Sequence, residues 1–468
     1  MRNCHTATTM LLLLLAAALL GGCGMAPKYR RPPSPVPEEY GKGVPMPAQG
    51  AALPEWRQFF TDPALQRLIG TAIEHNRDLR TAMLNIEKTR AQYRIQRADL
   101  LPTVNAAASS EAQRIPSRMS ETGSAYVSRT YSASLGFSAF ELDLFGRVRS
   151  LTEAAEETYF SVEEDARAAQ LSLVAEVAGI YLQLVSDREL LDVTRQTYKN
   201  RKGQYDLVRN KFSSGVASEL EVSQAKSIME EARSNVARYE ARVGQDENYL
   251  TLLIGAPLPS DMPDVRRLSQ VTKMPDIPEG LSSALLERRP DIRAAEHRLK
   301  AANANISAAR ANFFPTVSLT GAFGTLGSDT ARLFSAGAET WMFIPRATIP
   351  LFDTGRNIAG LEVSEAERDM ALAQYERSIQ GAFREVADTL VQRGSIGEQL
   401  DAETSLLKAA TTAYNLASER YNVGVDSYLN VLDAQRALYN AQQSNIATRL
   451  LRETNALTLF KSLGGGWR

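Results

Sequence analysis

Residues 127–147 read VSRTYSASLGFSAFELDLFGR, and a change of rhythm inside that stretch decides the fold. Val127, Tyr131, Ala133, Leu135, Phe137 and Ala139 alternate with Ser128, Thr130, Ser132, Ser134, Gly136 and Ser138. A period of two sends the apolar side chains to one face of a strand and the small polar ones to the other. From Arg147 to Phe212 there is no proline, and the apolar positions 151, 155, 159, 162, 166, 169, 173, 177, 180 and 184 average 3.67 residues apart. The step then becomes seven, through Leu184, Leu191, Tyr198, Tyr205 and Phe212. A spacing near 3.67 predicts an almost straight helix and a spacing of 3.5 a left-handed coiled coil, so one very long helix is expected to follow directly on a strand.

Working outward, the same unit occurs twice. Arg80–Val104, ending Leu100-Leu101-Pro102-Thr103-Val104, aligns without gaps on Arg293–Val317, ending Phe313-Phe314-Pro315-Thr316-Val317. From Gly146-Arg147 on Gly355-Arg356 to Gly215-Val216 on Gly424-Val425 the shift settles at 209 positions. Each unit carries a helix, two strands, a long helix and a return helix. The first strand of unit one is the weaker pattern Val104, Ala106, Ala108. Unit two repeats the pair as Val317, Leu319, Phe323 and then Trp341, Phe343, Ala347, Ile349, the last group opposite Arg346 and Thr348, and its lower helix seam is Leu400, Leu407, Tyr414, Tyr421. A soluble sandwich would also alternate, but a serine-lined face suits a water-filled barrel.

The long helices turn back at Gly215, Val216, Ala217, Ser218 and at Gly424, Val425, Asp426, Ser427. Gly215 is placed as the left-handed residue past the helix end, and Ser218 with Glu221 as a capping box. Asp426 or Ser427 is the expected cap of the second return helix. Residues 147–212 make about 100 Å of helix, and the return helix 218–254 stacked on the pre-strand helix 78–101 makes about 90 Å. One unit therefore supplies two rods of matching length, and the chain supplies four rods and four strands. Four strands cannot close a transmembrane barrel, and eight make one filled by its own side chains. Three chains, with twelve strands and twelve rods, are the smallest ring with an open lumen.

The N-terminus reads as a lipoprotein signal over residues 1–22: Arg2, an apolar run from Met10 to Leu20, then Leu20-Gly21-Gly22-Cys23. Cys23 is the expected lipidation site and first mature residue, followed by Gly24. Prolines 27, 32, 33, 35, 37, 45, 47 and 54 make residues 23–55 an extended tether. Repeat one occupies 56–256, a second proline-rich connector 257–280, and repeat two 281–468. Beyond residue 22 no uninterrupted apolar run approaches the roughly 18 residues of a spanning helix. The chain has 468 residues, 23% of them charged, with a formal net charge of -1. That balance has no basic excess for nucleic acid. His75 and His297 lie in charged helical segments at unrelated repeat positions, and Gly321, Gly324 and Gly327 are spaced wrongly for a dinucleotide, fitting a barrel mouth instead. No catalytic motif, metal cluster or cofactor site is expected.

The chain resembles the TolC-type outer-membrane factors of tripartite efflux systems, in their OprM-like (NodT) lipoprotein branch, across residues 23–468. The resemblance rests on Leu20-Gly21-Gly22-Cys23, Trp56-Arg57-Gln58-Phe59-Phe60, Asn76-Arg77-Asp78-Leu79-Arg80, Glu141-Leu142-Asp143-Leu144-Phe145-Gly146-Arg147, Arg289-Pro290-Asp291-Ile292, Ala308-Ala309-Arg310-Ala311-Asn312-Phe313-Phe314-Pro315, Val431-Leu432-Asp433-Ala434-Gln435-Arg436 and Leu463-Gly464-Gly465-Gly466-Trp467, in that order. It implies a mixed α and β homotrimer, with a 12-stranded outer-membrane β-barrel continued by a 12-helix periplasmic α-barrel and a collar that includes the central connector. It also implies a lipid-anchored place in the outer membrane of a Gram-negative bacterium, and a passive channel for small toxic compounds rather than an enzyme. The implied partners are a periplasmic adaptor meeting the two tips, an inner-membrane pump driven by protons (the RND class) and outer-membrane lipid. By the same resemblance Leu429 and Asp433, one helical turn apart, line a gate, with Arg436 available to pair across neighbouring helices. Leu220, Gln224 and Ser227 stand at the equivalent positions of unit one. Two alternatives stay open: an export channel for protein secretion, and a coiled-coil envelope protein with no channel.

Overall fold

The computed structural model describes residues 29–37, 55–259, 265–271 and 287–465. Cys23, its signal and most of the tether and central connector lie outside the described residues. The elements run α1 (Trp56–Phe59), α2 (Pro63–His75), α3 (Arg77–Ala98), β1 (Asn105–Ile115), β2 (Tyr126–Leu142), α4 (Arg147–Ser213), α5 (Glu219–Ile254), α6 (Pro290–Ala311), β3 (Thr316–Gly327), β4 (Glu339–Thr348), α7 (Arg356–Asn422) and α8 (Tyr428–Ser462). The second half thus repeats the helix, strand pair, long helix and return helix of the first, and α4 and α7 are each 67 residues long.

Two compact units interleave along the chain, and each takes a piece of both repeats. The unit built from 85–163 and 294–375 holds the sheet, in the order β1-β2-β3-β4 with every pair antiparallel. The register lines Leu135, Phe323 and Trp341 in one row and Ser134, Gly324 and Thr340 in the adjacent row on the opposite face, so alternation in sequence becomes an apolar face and a small polar face. Met342 and Ile344 join the polar face, which the sequence pattern did not indicate. Leu135, Phe323 and Trp341 remain 60%, 64% and 76% exposed. β1 and β4 are the two outer strands and each has one edge without a strand partner among the described residues.

The alternation breaks at one place. Between Phe137 and Phe140 the β2–β3 register slips by one residue, and Ala139 adopts φ +52°. Ala139 therefore sits in a β-bulge, not on the apolar face where its spacing had put it, and its N–H donates to Thr320 Oγ1 at 3.0 Å. The strand glycines also have another reason than an open mouth. A side chain on Gly136 would strike the backbone of Gly321 and Ala322, and one on Gly324 would strike Ala133 and Ser134. The Phe137 ring covers Gly321. In the same unit Glu141 accepts two bonds from Arg147, at 2.8 and 2.5 Å, while Asp143 caps α4 by accepting from the Val148 and Arg149 N–H groups. Those bonds are the physical content of the Glu141–Arg147 motif: they turn a strand directly into a helix. Ala154 of α4 packs with Ala301 and Ala304 of α6, small side chains that let two helices approach closely.

The other unit, 34–84, 164–293 and 376–468, carries most of the buried aromatic core. Phe59 stacks on Phe460 at 4.2 Å and Phe60 meets both edge-on. Asp62 caps α2 through the Leu65 N–H, and Asn76 caps α3 through the Leu79 N–H while donating to the Leu253 carbonyl, which ties the start of α3 to the end of α5. Arg289, 8% exposed, donates to Asp291, Glu385 and the Ser462 carbonyl and so holds α6, α7 and α8 together. An 18-residue window of α4 reaches mean hydropathy 1.5, apolar enough by composition to cross a membrane, but half of it is buried within the chain. The same helix buries Leu173, Val177, Tyr181 and Leu184 as core.

Candidate functional site at the helical tips

Both tips are built on a left-handed glycine. Gly215 has φ +75° and Gly424 φ +79°. The first tip closes with Gly215 N–H to Phe212 O and Val216 N–H to Lys211 O, the second with Gly424 N–H to Tyr421 O and Val425 N–H to Arg420 O. Each pattern satisfies the last carbonyls of a long helix. Ser218 caps α5 as its spacing predicts, with Glu221 N–H donating to Ser218 Oγ at 3.3 Å and Ser218 N–H donating back to Glu221 Oε2 at 2.7 Å.

The second tip has one of its two expected residues at the cap position but lacks the capping bond. Ser427 stands at the N-cap of α8 but its side chain makes no capping bond. Asp426 instead accepts from Arg420 Nε at 3.0 Å, Asn430 Nδ2 at 2.5 Å and Ser427 N–H at 3.1 Å. The Arg420 and Asn430 bonds hold the Asp426 carboxyl below the usual range. Position 211 of the first tip is the repeat partner of 420, and there Lys211 reaches across to the second tip. Its Nζ donates to Tyr421 Oη at 3.3 Å and lies 4.4 Å from the ring centre. A shared core of Val208, Ala225, Ile228, Tyr428, Val431 and Leu432 packs behind the two tips. Neither the Lys211 tie nor the Arg420 clasp was visible in the repeat alignment, which equates the two cations.

This packing sorts the face of α8. Tyr428, Val431, Leu432 and Gln435 are buried, at helical spacing. Leu429 is 54% exposed, and the Asp433 and Arg436 side chains are 65% and 58% exposed on the other stripe. Arg436 pairs with Asp433 of its own helix at 3.6 Å, so within one chain the guanidinium is engaged three residues back, where the sequence reading had it available to a neighbour. Val216, Val425 and Leu220 are exposed by 77%, 64% and 67%. Behind the tips Arg201 is 2% exposed, donating to the Ile228 carbonyl at 2.9 Å and Glu231 at 3.1 Å, and Thr194 meets Tyr439 Oη at 3.0 Å. Among the described residues no three His, Cys, Asp or Glu side chains are grouped to hold a metal ion.

The profile of the outer membrane efflux protein family matches residues 68–256 and 281–465, one block for each repeat. The chain is 48% identical over 454 residues to a toluene efflux pump outer membrane protein and, equally, to an antibiotic efflux pump outer membrane protein, both from Pseudomonas putida. Each alignment covers 96% of this chain and 94% of the relative. Among solved structures it resembles the open-state MtrE outer membrane channel of Neisseria gonorrhoeae, with a TM-score of 0.86 and 37% identity over 95% of this chain and 99% of that one. With both repeats matched and relatives this similar along the whole length, the chain belongs to the outer membrane efflux protein family, as an outer-membrane channel component of an efflux pump.

Proposed function

We propose that three copies of this chain join their sheets edge to edge into a twelve-stranded barrel and their helices into a twelve-helix duct, which conducts small toxic compounds passively from periplasm to exterior. The observation that carries this is the four-stranded sheet whose two edges have no strand partner among the described residues, with apolar residues such as Trp341 exposed. A free edge strand is a row of unpaired donors and acceptors, and closure removes it. The apolar face meets lipid and the serine face lines the lumen. The chain acts as a conduit, not as an enzyme. Lipid on Cys23 adds a second hold on the outer membrane. The exposed tips, Gly215–Ser218 and Gly424–Ser427, receive a periplasmic adaptor that links the channel to an RND pump, and Leu429 and Asp433 form the constriction. Cargo is set by the pump, in keeping with equally similar relatives named for toluene and for antibiotics.

The test is reconstitution. Full-length protein purified from outer membranes and added to planar bilayers is expected to give discrete conductance steps and, after chemical cross-linking, a mass of three chains. Expression in a host lacking its own efflux channel should restore drug resistance. Restored protein secretion without restored resistance would favour the secretion alternative, and a monomer without conductance would defeat the channel reading.

A further inference from the structure

Asp187 on α4 and Asp246 on α5 meet inside the unit that contains the tips. Asp187 is 3% exposed, and its Oδ2 accepts from Gln183 Nε2 at 3.0 Å. Its Oδ1 and Asp246 Oδ2 are both shielded from solvent, and no donor reaches either atom. Besides Asp187, the charged groups that act on Asp246 are Arg242 and Glu247 on α5, and Glu247 pairs with Arg188 of α4 at 2.9 Å. Two neighbouring carboxylates, one buried and one half-buried, each with an oxygen shielded from water, cannot both ionise cheaply, because the shielded charge loses hydration and each repels the other. One proton placed between the two bare oxygens satisfies both atoms at once. Burial first, and then the Asp187 charge and hydrogen bond, push the Asp246 carboxyl up to about 7, against a smaller pull from Arg242.

We propose that Asp187 and Asp246 form a proton-operated latch between α4 and α5: with one proton shared they bond the two helices, and with that proton released to solvent they repel and loosen α5. The folded pair keeps a proton that the unfolded chain gives up above the ordinary carboxylate range. The latch therefore contributes stability in acid and loses it as pH rises through about 7. α5 is the return helix of the first tip and Asp246 lies toward its far end, so the pH around the helical body sets how firmly that end of α5 is held against α4. This needs neither the trimer nor the adaptor to hold.

Hydrogen exchange followed by mass spectrometry on the full-length chain in detergent micelles, between pH 5.5 and 8.5, tests it once the intrinsic pH dependence of exchange is divided out. Peptides covering 180–190 and 240–250 are expected to lose protection by about tenfold per pH unit up to about pH 7 and to level off above it, while peptides from α8 stay flat. Asp246→Asn and Asp187→Asn each leave a neutral hydrogen-bonding partner for the remaining carboxylate. Both should keep these peptides protected at pH 8 and abolish the pH dependence. A wild-type profile without the step, an Asn variant that keeps it, or loss of folded protein in both Asn variants would overturn the latch, since removing one of two repelling charges should stabilise the fold.

Discussion

The gate assignment can be separated from mere damage to the tip, because α8 places the two kinds of residue side by side. Leu429 is 54% exposed, so Leu429→Ala forfeits only part of the roughly 1.5–3 kcal/mol of a fully buried leucine. The Asp433–Arg436 pair is exposed, spans 3.6 Å and lies within one helix, which makes it worth about 0.5 kcal/mol or less. The double change Leu429→Ala with Asp433→Ala should therefore cost the fold of one chain about 1 kcal/mol, leaving trimers intact. In the proposed trimer the exposed parts of Leu429 and Asp433 make further contacts between chains, in the closed state only, and these recur three times around one axis. About 1 kcal/mol of closed-state contact per copy becomes about 3 kcal/mol per channel, a shift of roughly a hundredfold in the open population. Single-channel recording should show longer and larger openings, and cells lacking the pump should admit large antibiotics. Leu432→Ala is the control: three positions away and 3% exposed, it should cost about 2–5 kcal/mol and destabilise the tip core. Unchanged conductance and antibiotic entry in the double variant, with trimers present, would place the gate elsewhere. An equal opening by Leu432→Ala in folded trimers would mean that any loosening of the tip opens the duct.

Three further outcomes follow from named residues. Mass spectrometry of the mature N-terminal peptide should find lipid on Cys23, and Cys23→Ser should lower the yield of assembled channel without abolishing insertion; a free thiol in the wild-type protein would end the lipoprotein assignment. Gly215→Val together with Gly424→Val forces β-branched side chains to φ +75° and +79°, at about 1–3 kcal/mol each, and should abolish resistance while trimers still form; wild-type resistance would remove the tips from adaptor contact. Phe460→Ala empties the space against Phe59 and Phe60 and should cost about 3–5 kcal/mol, read as a lower denaturant midpoint, and a midpoint within error of wild type would mean that this cluster does not brace α1 against α8.

Some of this was legible because local chemistry and tertiary packing agree. The seam expected at Leu400, Leu407, Tyr414 and Tyr421 is half-buried, interleaved with Ile396, Glu403, Ala410 and Ala417 at alternating steps of three and four. Glycine followed by Ser-x-x-Glu placed the first turn because left-handed backbone and capping are properties of a few adjacent residues. In α4 the same reasoning reached only part of the way. Leu184 and Leu191 are buried, but Tyr198 and Tyr205 are half-buried and Phe212 is 45% exposed. The positions that α4 buries toward α5 and α8 include Thr194, Thr197, Arg201 and Val208. Arg201 can be buried there because the Ile228 carbonyl and Glu231 accept from it, and partners 27 and 30 residues away leave no periodic trace. The bulge at Ala139 is hidden for the same reason, since a register slip exists only between two strands.

The upper part of α4 shows what a single chain leaves unfinished. Its apolar ridge Leu151, Ala155, Tyr159 and Val162 is only half-buried, while Thr152, Ala154, Ser161 and Glu164 are buried. A helix that shields its small and polar residues and leaves its large apolar ones partly bare has its preferred partner outside the chain. The sheet makes the same argument with Leu135, Phe323 and Trp341, and α7 with Ile358, Val363 and Met370, which are 57%, 57% and 71% exposed. Strand arithmetic in the sequence and unsatisfied surface in the structure are independent routes to closure with other copies, and the arithmetic sets their number at three. The duplication then explains the tips. Six hairpins from three chains would approximate sixfold symmetry, but Lys211 stands where the second repeat has Arg420, and Gln224 where it has Asp433. The two kinds of hairpin are tied to each other by Lys211 on Tyr421, so only three of the six would carry Leu429 and Asp433 toward the axis. Such a constriction can be narrowed by one set of hairpins while the other set holds the frame, a division of labour that identical repeats could not provide.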